Sequence, residues 1–312
     1  MSTSALTTSL RRATIADIPA ALRLCSTAGW NHLEQDWVLL LEYEPEGCFV
    51  SEVDARLVGT VTTTCYGTEL AWIGMMLVDP DFRRRGIATS LMHRSLEYLA
   101  NRGIRCIKLD ATPEGRHVYE RLGFTAEWSM RRWMREGSAA EDQTAGDADE
   151  RLRGEPSQGP NPSNAPSLLE PYLGLDRRAF GVDRGDWLLR LLDGSTVRFH
   201  SREPEVLIED ERAPAQLQPG AIGMLRRGFL ASYLGPLIVA QLPSAAHVVQ
   251  DLLRCTSDPV FWDIPDPNHQ GVALAEQLNF HSVRHLTRMW RGSHCVRSDL
   301  ECLFALADPS TG

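Results

Sequence analysis

Short apolar or alternating runs punctuate the first 135 residues, separated by stretches in which apolar positions recur every three to four residues. Runs at residues 10–14, 48–53, 57–66, 70–78, 104–111 and 124–134 read as strands. The break at Asp54, Ala55 and Arg56 reads as the turn of an antiparallel hairpin. Between them a helix is expected over residues 17–28, where Thr14 or Asp17 can cap and Gly29 ends it, and another over 35–42. A long amphipathic helix begins near Ile87, since Leu91, Met92, Ser95, Leu96 and Leu99 fall on one face and Gly103 closes it. A short helix over 115–122 precedes the last run. The order β-α-α-β-β-β-α-β-α-β predicts an α/β chain with a mixed sheet and helices on its faces.

This patterning stops from about Gly137 to Ser167, where Gly, Ser, Ala, Pro, Asn and acidic residues leave almost no large apolar side chain. Such a segment cannot offset its ordering entropy by burial, so a mobile linker without chemistry is expected there. The chain is accordingly divided into a domain over 1–136, a linker over 137–167 and a second domain over 168–312. A length of 312 residues also favours two cores over one. Hydrophobic content of 43% with 23% charged residues excludes a wholly disordered chain, a collagen and a coiled-coil rod. A net charge of -9 argues against gripping nucleic acid and leaves cationic small molecules as partners. The 7 cysteines are scattered without a C-x-x-C pair, and the histidines, His281 and His285 among them, lack a Cys/His cluster, so no metal is expected. The start, MSTSALTTSLRR, has no apolar signal core and no run approaches the ~18 apolar residues of a span; a soluble, cytoplasmic protein without membrane contact is the expectation.

The chemistry concentrates where the 70–78 strand meets the long helix. The turn reads Asp79-Pro80-Asp81-Phe82-Arg83-Arg84-Arg85-Gly86-Ile87-Ala88-Thr89. Small residues at Gly86 and Ala88 let backbone N–H groups approach a phosphate, the helix N-terminus offers unpaired donors, and the arginines add charge; a diphosphate suits this cradle. Further along comes Tyr119 in Val118-Tyr119-Glu120-Arg121-Leu122-Gly123-Phe124. R-x-x-G-x-A alone is a weak signal. Strand, loop, amphipathic helix and a Tyr-containing helix ending in Gly-Phe together resemble the GNAT superfamily of N-acetyltransferases over roughly residues 10–135.

The resemblance implies a mostly antiparallel GNAT-type sheet and an acetyl-CoA co-substrate. It implies that Met76, Leu77 and Val78 pair with the pantetheine arm from a splayed strand, and that backbone amides of Arg84, Arg85, Gly86, Ile87, Ala88 and Thr89 hold the pyrophosphate, with Arg83 in the Q/R position. A backbone N–H near Leu77 and Val78 would face the acetyl oxygen. It makes Tyr119 the proton donor to the departing thiolate; packing under the Gly-Phe turn is the plainer alternative. An amine, in a small molecule or a peptide, would attack directly once a base removes its proton. Asp110 and Glu69 are the candidate bases, each also a plausible solvated or capping carboxylate. The segment Gly29-Trp30-Asn31-His32-Leu33-Glu34-Gln35-Asp36-Trp37 falls where the family walls its acceptor site, so Trp30, Asn31, Glu34 and Trp37 are candidate acceptor contacts, with a core role for the tryptophans as the alternative. A CoA-binding sensor without turnover, or transfer of a longer acyl chain, would use the same loop.

A faint internal repeat extends this. Residues 72–78 align with 233–239, 107–113 with 260–265, 121–124 with 277–280 and 130–133 with 286–289; Arg132 and Arg288 each lie eight residues after a Phe. The second copy reads Ala240-Gln241-Leu242-Pro243-Ser244-Ala245-Ala246 where the first has its loop, without glycine or arginine, and has no aromatic match to Tyr119. A tandem chain with a degenerate C-terminal copy that does not bind CoA is expected. That copy would either complete the acceptor pocket or cover a sheet surface.

Overall fold

The computed structural model describes residues 8–137, 165–202 and 218–312. In the first half, β1 (Thr8–Arg12), α1 (Ile18–Thr27), α2 (Glu34–Tyr43), β2 (Phe49–Val53), β3 (Arg56–Tyr66), β4 (Leu70–Val78), α3 (Ile87–Asn101), β5 (Cys106–Ala111), α4 (Pro113–Arg121) and β6 (Thr125–Arg135) follow one another in the order the pattern predicts. The β2–β3 hairpin turns on Asp54 and Ala55, both at positive φ, which matches the right-handed twist of the flanking strands. Of the expected linker, residues 138–164 lie outside the described residues, and Ala165 already opens a helix.

The second half supplies α5 (Ala165–Phe180), α6 (Gly185–Leu192), β7 (Ser195–Arg202), β8 (Gln218–Arg226), β9 (Ser232–Val239), α7 (Leu242–Leu253), β10 (Val260–Pro265), α8 (His269–Gln277), β11 (His281–Gly292) and β12 (Leu303–Ala305). The repeat read from sequence falls on equivalent elements, with β4 answering to β9, β5 to β10 and β6 to β11.

The halves share one sheet, ordered β1-β2-β3-β4-β5-β11-β6-β10-β9-β8-β7, with β12 added beside β9. Its pairings are antiparallel except β4–β5 and β9–β10. The copies exchange their last strands: β11 pairs with β5 of the first copy, and β6 pairs with β10 of the second. Exchange explains the two matched arginines. Arg288 on β11 makes a bidentate pair with Asp110 on β5, both bonds 2.9 Å, and is held between Trp72 and Trp128 at 4.3 and 4.2 Å. Arg132 on β6 repeats the arrangement with Asp263 on β10, at 2.9 and 2.6 Å, over Phe261 and Tyr233. Planar guanidinium groups match carboxylates in this fork geometry and stack on aromatic faces, which suits buried cross-half pairs.

Both parallel strand pairs splay. β4 and β5 pair only from Leu70↔Cys106 to Trp72↔Lys108, and β9 and β10 only from Val260↔Ser232 to Trp262↔Leu234. The first opening is a cleft. The second is filled by β12, where Leu303 and Ala305 sit in register with Ile238 and Leu237, the Trp262 indole donates to the Phe304 carbonyl at 2.8 Å and the Leu306 amide to the Asp263 carbonyl at 3.1 Å. The chain thus lays its own strand in the slot that is open in the first copy.

Candidate active site

The turn after β4 is arranged for anions. Asp79 starts a single turn over residues 80–82, its carboxylate accepting from the Asp81 amide at 3.0 Å and from Arg56 at 2.6 Å. Arg84 then adopts φ 61° and Gly86 φ 81°, swinging the chain into α3. No side chain caps α3, and the amides of Arg84 to Thr89 have no backbone acceptor among the described residues, so several donors converge at the positive end of a 15-residue helix. Arg83, Arg84 and Arg85 are exposed around it; Arg85 stacks on Phe82 at 5.0 Å and Arg83 Nε reaches the Val78 carbonyl at 3.2 Å. These features fit a diphosphate.

The cradle opens into a cleft of about 900 Å³ between the splayed strands, lined on the β4 side by Met76, Leu77 and Val78 and at the loop by Arg83 and Ala88. A bulge shapes this edge: Met75 sits at φ 48° and its carbonyl accepts from the buried Thr60 hydroxyl at 2.7 Å. Tyr119 lines the same cleft from α4, edge-on to Phe124 at 6.2 Å. Its hydroxyl has no protein partner among the described residues, and burial pushes the phenol up to about 12. It therefore remains a proton donor through the neutral range.

The two carboxylates singled out from the sequence are both engaged by arginines. Asp110 borders the cleft with its side chain fully buried, and each of its oxygens accepts from Arg288. Glu69 is at the far end of β4 from the loop, exposed, and pairs with Arg105 at 3.3 Å; it does not line the cleft. Among the candidate acceptor contacts, Trp30 and Asn31 line the cleft. Asn31 is spent on the fold: its side-chain oxygen accepts from the Leu230 and Ala231 amides at 2.7 and 3.0 Å and its nitrogen donates to the Ala231 carbonyl. Trp37 is 2% exposed within the core beneath α1 and α2, and Glu34 faces outward from the first turn of α2; neither lines the cleft.

The second half also reaches the cleft, through Arg284, His285, Leu286, Asp308, Pro309 and Ser310. The tail beyond β12 crosses to the first copy, where the Tyr66 hydroxyl donates to the Thr311 carbonyl at 2.7 Å and the Trp72 indole to the Pro309 carbonyl at 3.1 Å. It brings Asp308 to His32, with Oδ1 3.4 Å from Nε2. Burial alone would raise this carboxyl, but His32, Arg226 and the Ser310 side chain hold it well below the usual carboxylate range. His32 Nδ1 is enclosed without a protein partner. Nothing near His32 in sequence signals Asp308, which is 276 residues away. The described residues contain no cluster of metal ligands and no helix long and apolar enough to cross a membrane.

The acetyltransferase (GNAT) family model matches residues 15–124, and an acetyltransferase (GNAT) domain model matches residues 172–305. The chain is 36% identical over 105 residues to the uncharacterized N-acetyltransferase MJ1207 of Methanocaldococcus jannaschii, a match covering 31% of this chain and only 46% of that protein. It is 33% identical over 103 residues to N-alpha-acetyltransferase 30 of Schizosaccharomyces pombe, covering 31% of this chain and 69% of that protein. In fold, it superposes on a Pyrococcus horikoshii protein assigned as an acetyltransferase with TM-score 0.74 at 20% identity, covering 98% and 96% of the two chains. A tandem GNAT protein from the clavulanic acid biosynthesis pathway gives TM-score 0.61 at 14% identity over 93% and 100%. The chain belongs to the GNAT family of acetyltransferases, with two GNAT domains in tandem, and is an acyltransferase.

Proposed function

We propose that the N-terminal copy, residues 1–136, transfers an acetyl group from acetyl-CoA to a primary amine of a small molecule or peptide, and that the copy over 168–312 binds no CoA. The observation that carries this reading is the set of uncapped amides from Arg84 to Thr89 opening directly into the cleft that Tyr119 lines. Acetyl-CoA supplies an acetyl group activated as a thioester. Arg83 and the loop amides hold its pyrophosphate, and the free edge of β4 at Met76, Leu77 and Val78 takes the pantetheine arm as an added strand would. His32, which lines the cleft and is oriented by Asp308, takes the proton of the acceptor ammonium, freeing the lone pair that attacks. As the C–N bond forms and the C–S bond breaks, the Tyr119 O–H gives its proton to the departing sulfur, and the proton shed by the new amide nitrogen returns to the phenolate. Asp110 and Glu69 have no part in this scheme.

Isothermal titration with acetyl-CoA, then thiol release across an amine panel, tests the reading. One site per chain with turnover supports it; two sites would overturn the silent second copy, and no binding would overturn the whole. Tyr119→Phe is expected to lower kcat roughly 100-fold with acetyl-CoA affinity within about twofold of the parent. Because its phenol titrates only at about 12, the variant and parent pH profiles should run parallel up to about pH 10. His32→Gln should likewise lower kcat by roughly 100-fold without weakening acetyl-CoA. Unchanged turnover in either variant removes that residue from the mechanism.

A further inference from the structure

Arg284 poses a question the transfer scheme leaves open. It stands on β11 directly across from Arg132 on β6, and like charges facing each other on adjacent antiparallel strands repel. Arg132 is neutralised by Asp263. Arg284 has no ion pair or side-chain hydrogen bond among the described residues, although it is only partly exposed and lines the cleft. Burial and the neighbouring Arg132 both oppose its charge and pull its pKa below the usual guanidinium value.

The carboxylates that face it are Asp263, Asp308 and Glu114. Asp263 is committed to Arg132 and the Tyr233 hydroxyl, and Asp308 to His32 and the Ser310 amide. Glu114 sits exposed in the first turn of α4, where its carboxylate is held below its ordinary range by its own backbone amide and by Thr112, with a smaller contribution from the Arg284 charge across solvent. A guanidinium drawn partly out of water beside a second one, with carboxylates near it but none in direct contact, is costly unless a ligand supplies a paired anion. Its cation lies 6.0 Å over the Trp30 ring, and the same ring is 5.7 Å from His32. Trp30 therefore stands between a group suited to an anion and a group suited to an ammonium proton.

We propose that the acceptor is an amine that also carries a carboxylate, a compound of the amino-acid class, whose carboxylate pairs with Arg284 while its amino group faces His32. This rests on the transferase reading and names its acceptor. It makes the second half the specificity element: Arg284 and Asp308 both come from there. It also disfavours polyamines, whose second cation would meet Arg284.

Matched pairs test this: lysine against cadaverine, phenylalanine against phenethylamine, and arginine against agmatine, assayed by thiol release and by calorimetric binding to the CoA-saturated protein. At least one amino acid is expected to exceed its decarboxylated partner by about 100-fold in kcat/KM, since a site built around a buried polar partner rejects the analogue lacking it. Arg284→Gln should collapse that ratio to within about threefold through KM and abolish calorimetric binding of the amino acid, whereas Arg284→Lys should keep part of it. Equal or better use of the decarboxylated amines overturns the proposal, as does failure to bind or acetylate any of the amino acids. The parent ratios stand even if a variant does not fold. Absence of acetyl-CoA binding would instead sink the transferase reading, whereas acetyl-CoA binding with acetylation blind to the carboxylate sinks only this inference.

Discussion

Gly86→Glu is expected to raise the dissociation constant for acetyl-CoA by at least about 100-fold, equivalent to roughly 2.7 kcal/mol. Two effects add. Gly86 sits at φ 81°, where a side chain costs about 1–2 kcal/mol. The new carboxylate would also bring its own negative charge to the helix N-terminus and compete for the donors that the pyrophosphate needs. Gly86→Ala separates them: an added Cβ meets nothing within 4 Å, so it carries only the backbone strain and should weaken binding about tenfold. Calorimetry on both variants, with thermal melts to show that α3 is intact, reads the difference. Parent-like affinity in Gly86→Glu would remove the loop from the CoA site.

Much of the first copy was legible because its signals are local. The break at Asp54 and Ala55, the helical spacing from Leu91 to Leu99 and the small residues of the loop each act within a few positions, and the elements fall within two or so residues of where the pattern puts them. Partner choice was not local. Alternation tells that residues 281–292 form a strand but not that it lies against β5, because either copy's last strand presents a suitable face. The spacing of Arg132 and Arg288 after their phenylalanines did carry the information, since each needs a buried carboxylate on the strand beside it. Read as repeat anchors, they leave Asp110 free to be a base; read as one half of a buried fork, they claim it.

The acceptor side was the least legible for the same reason. Trp37 follows the apolar stripe of α2 and is buried by it, the core role given as its alternative, whereas Asn31 is used by a turn of the other half, 200 residues away. His32 acquires meaning only when the tail beyond β12 delivers Asp308. That tail also explains how degeneration of the second copy serves the first. After β9 the second copy lacks the glycine and arginines that mark the cradle of the first, and β12 fills the slot with apolar Leu303, Phe304 and Ala305. The strand that closes one cleft leads directly into the wall of the other.

The cross-half pairs should dominate stability. Arg288→Met leaves Asp110 fully buried with its charge unmatched, a loss on the order of 3–5 kcal/mol, which for domains of this size lowers the melting temperature on the order of 10 °C. Asp110→Asn should behave similarly, because it strands the guanidinium between Trp72 and Trp128. The Arg288→Met/Asp110→Leu double variant should recover most of the loss, since apolar groups of similar volume can replace a buried ion pair at little cost. This series also decides what Asp110 does. A carboxylate that served as proton acceptor would give an Asp110→Asn protein with the parent melting temperature and no turnover, and the double variant would be equally inactive. A carboxylate that joins the two copies gives the reverse: melting temperature falls in each single variant and returns in the double, and acetyl transfer returns with it because Tyr119, His32 and the loop have not been touched.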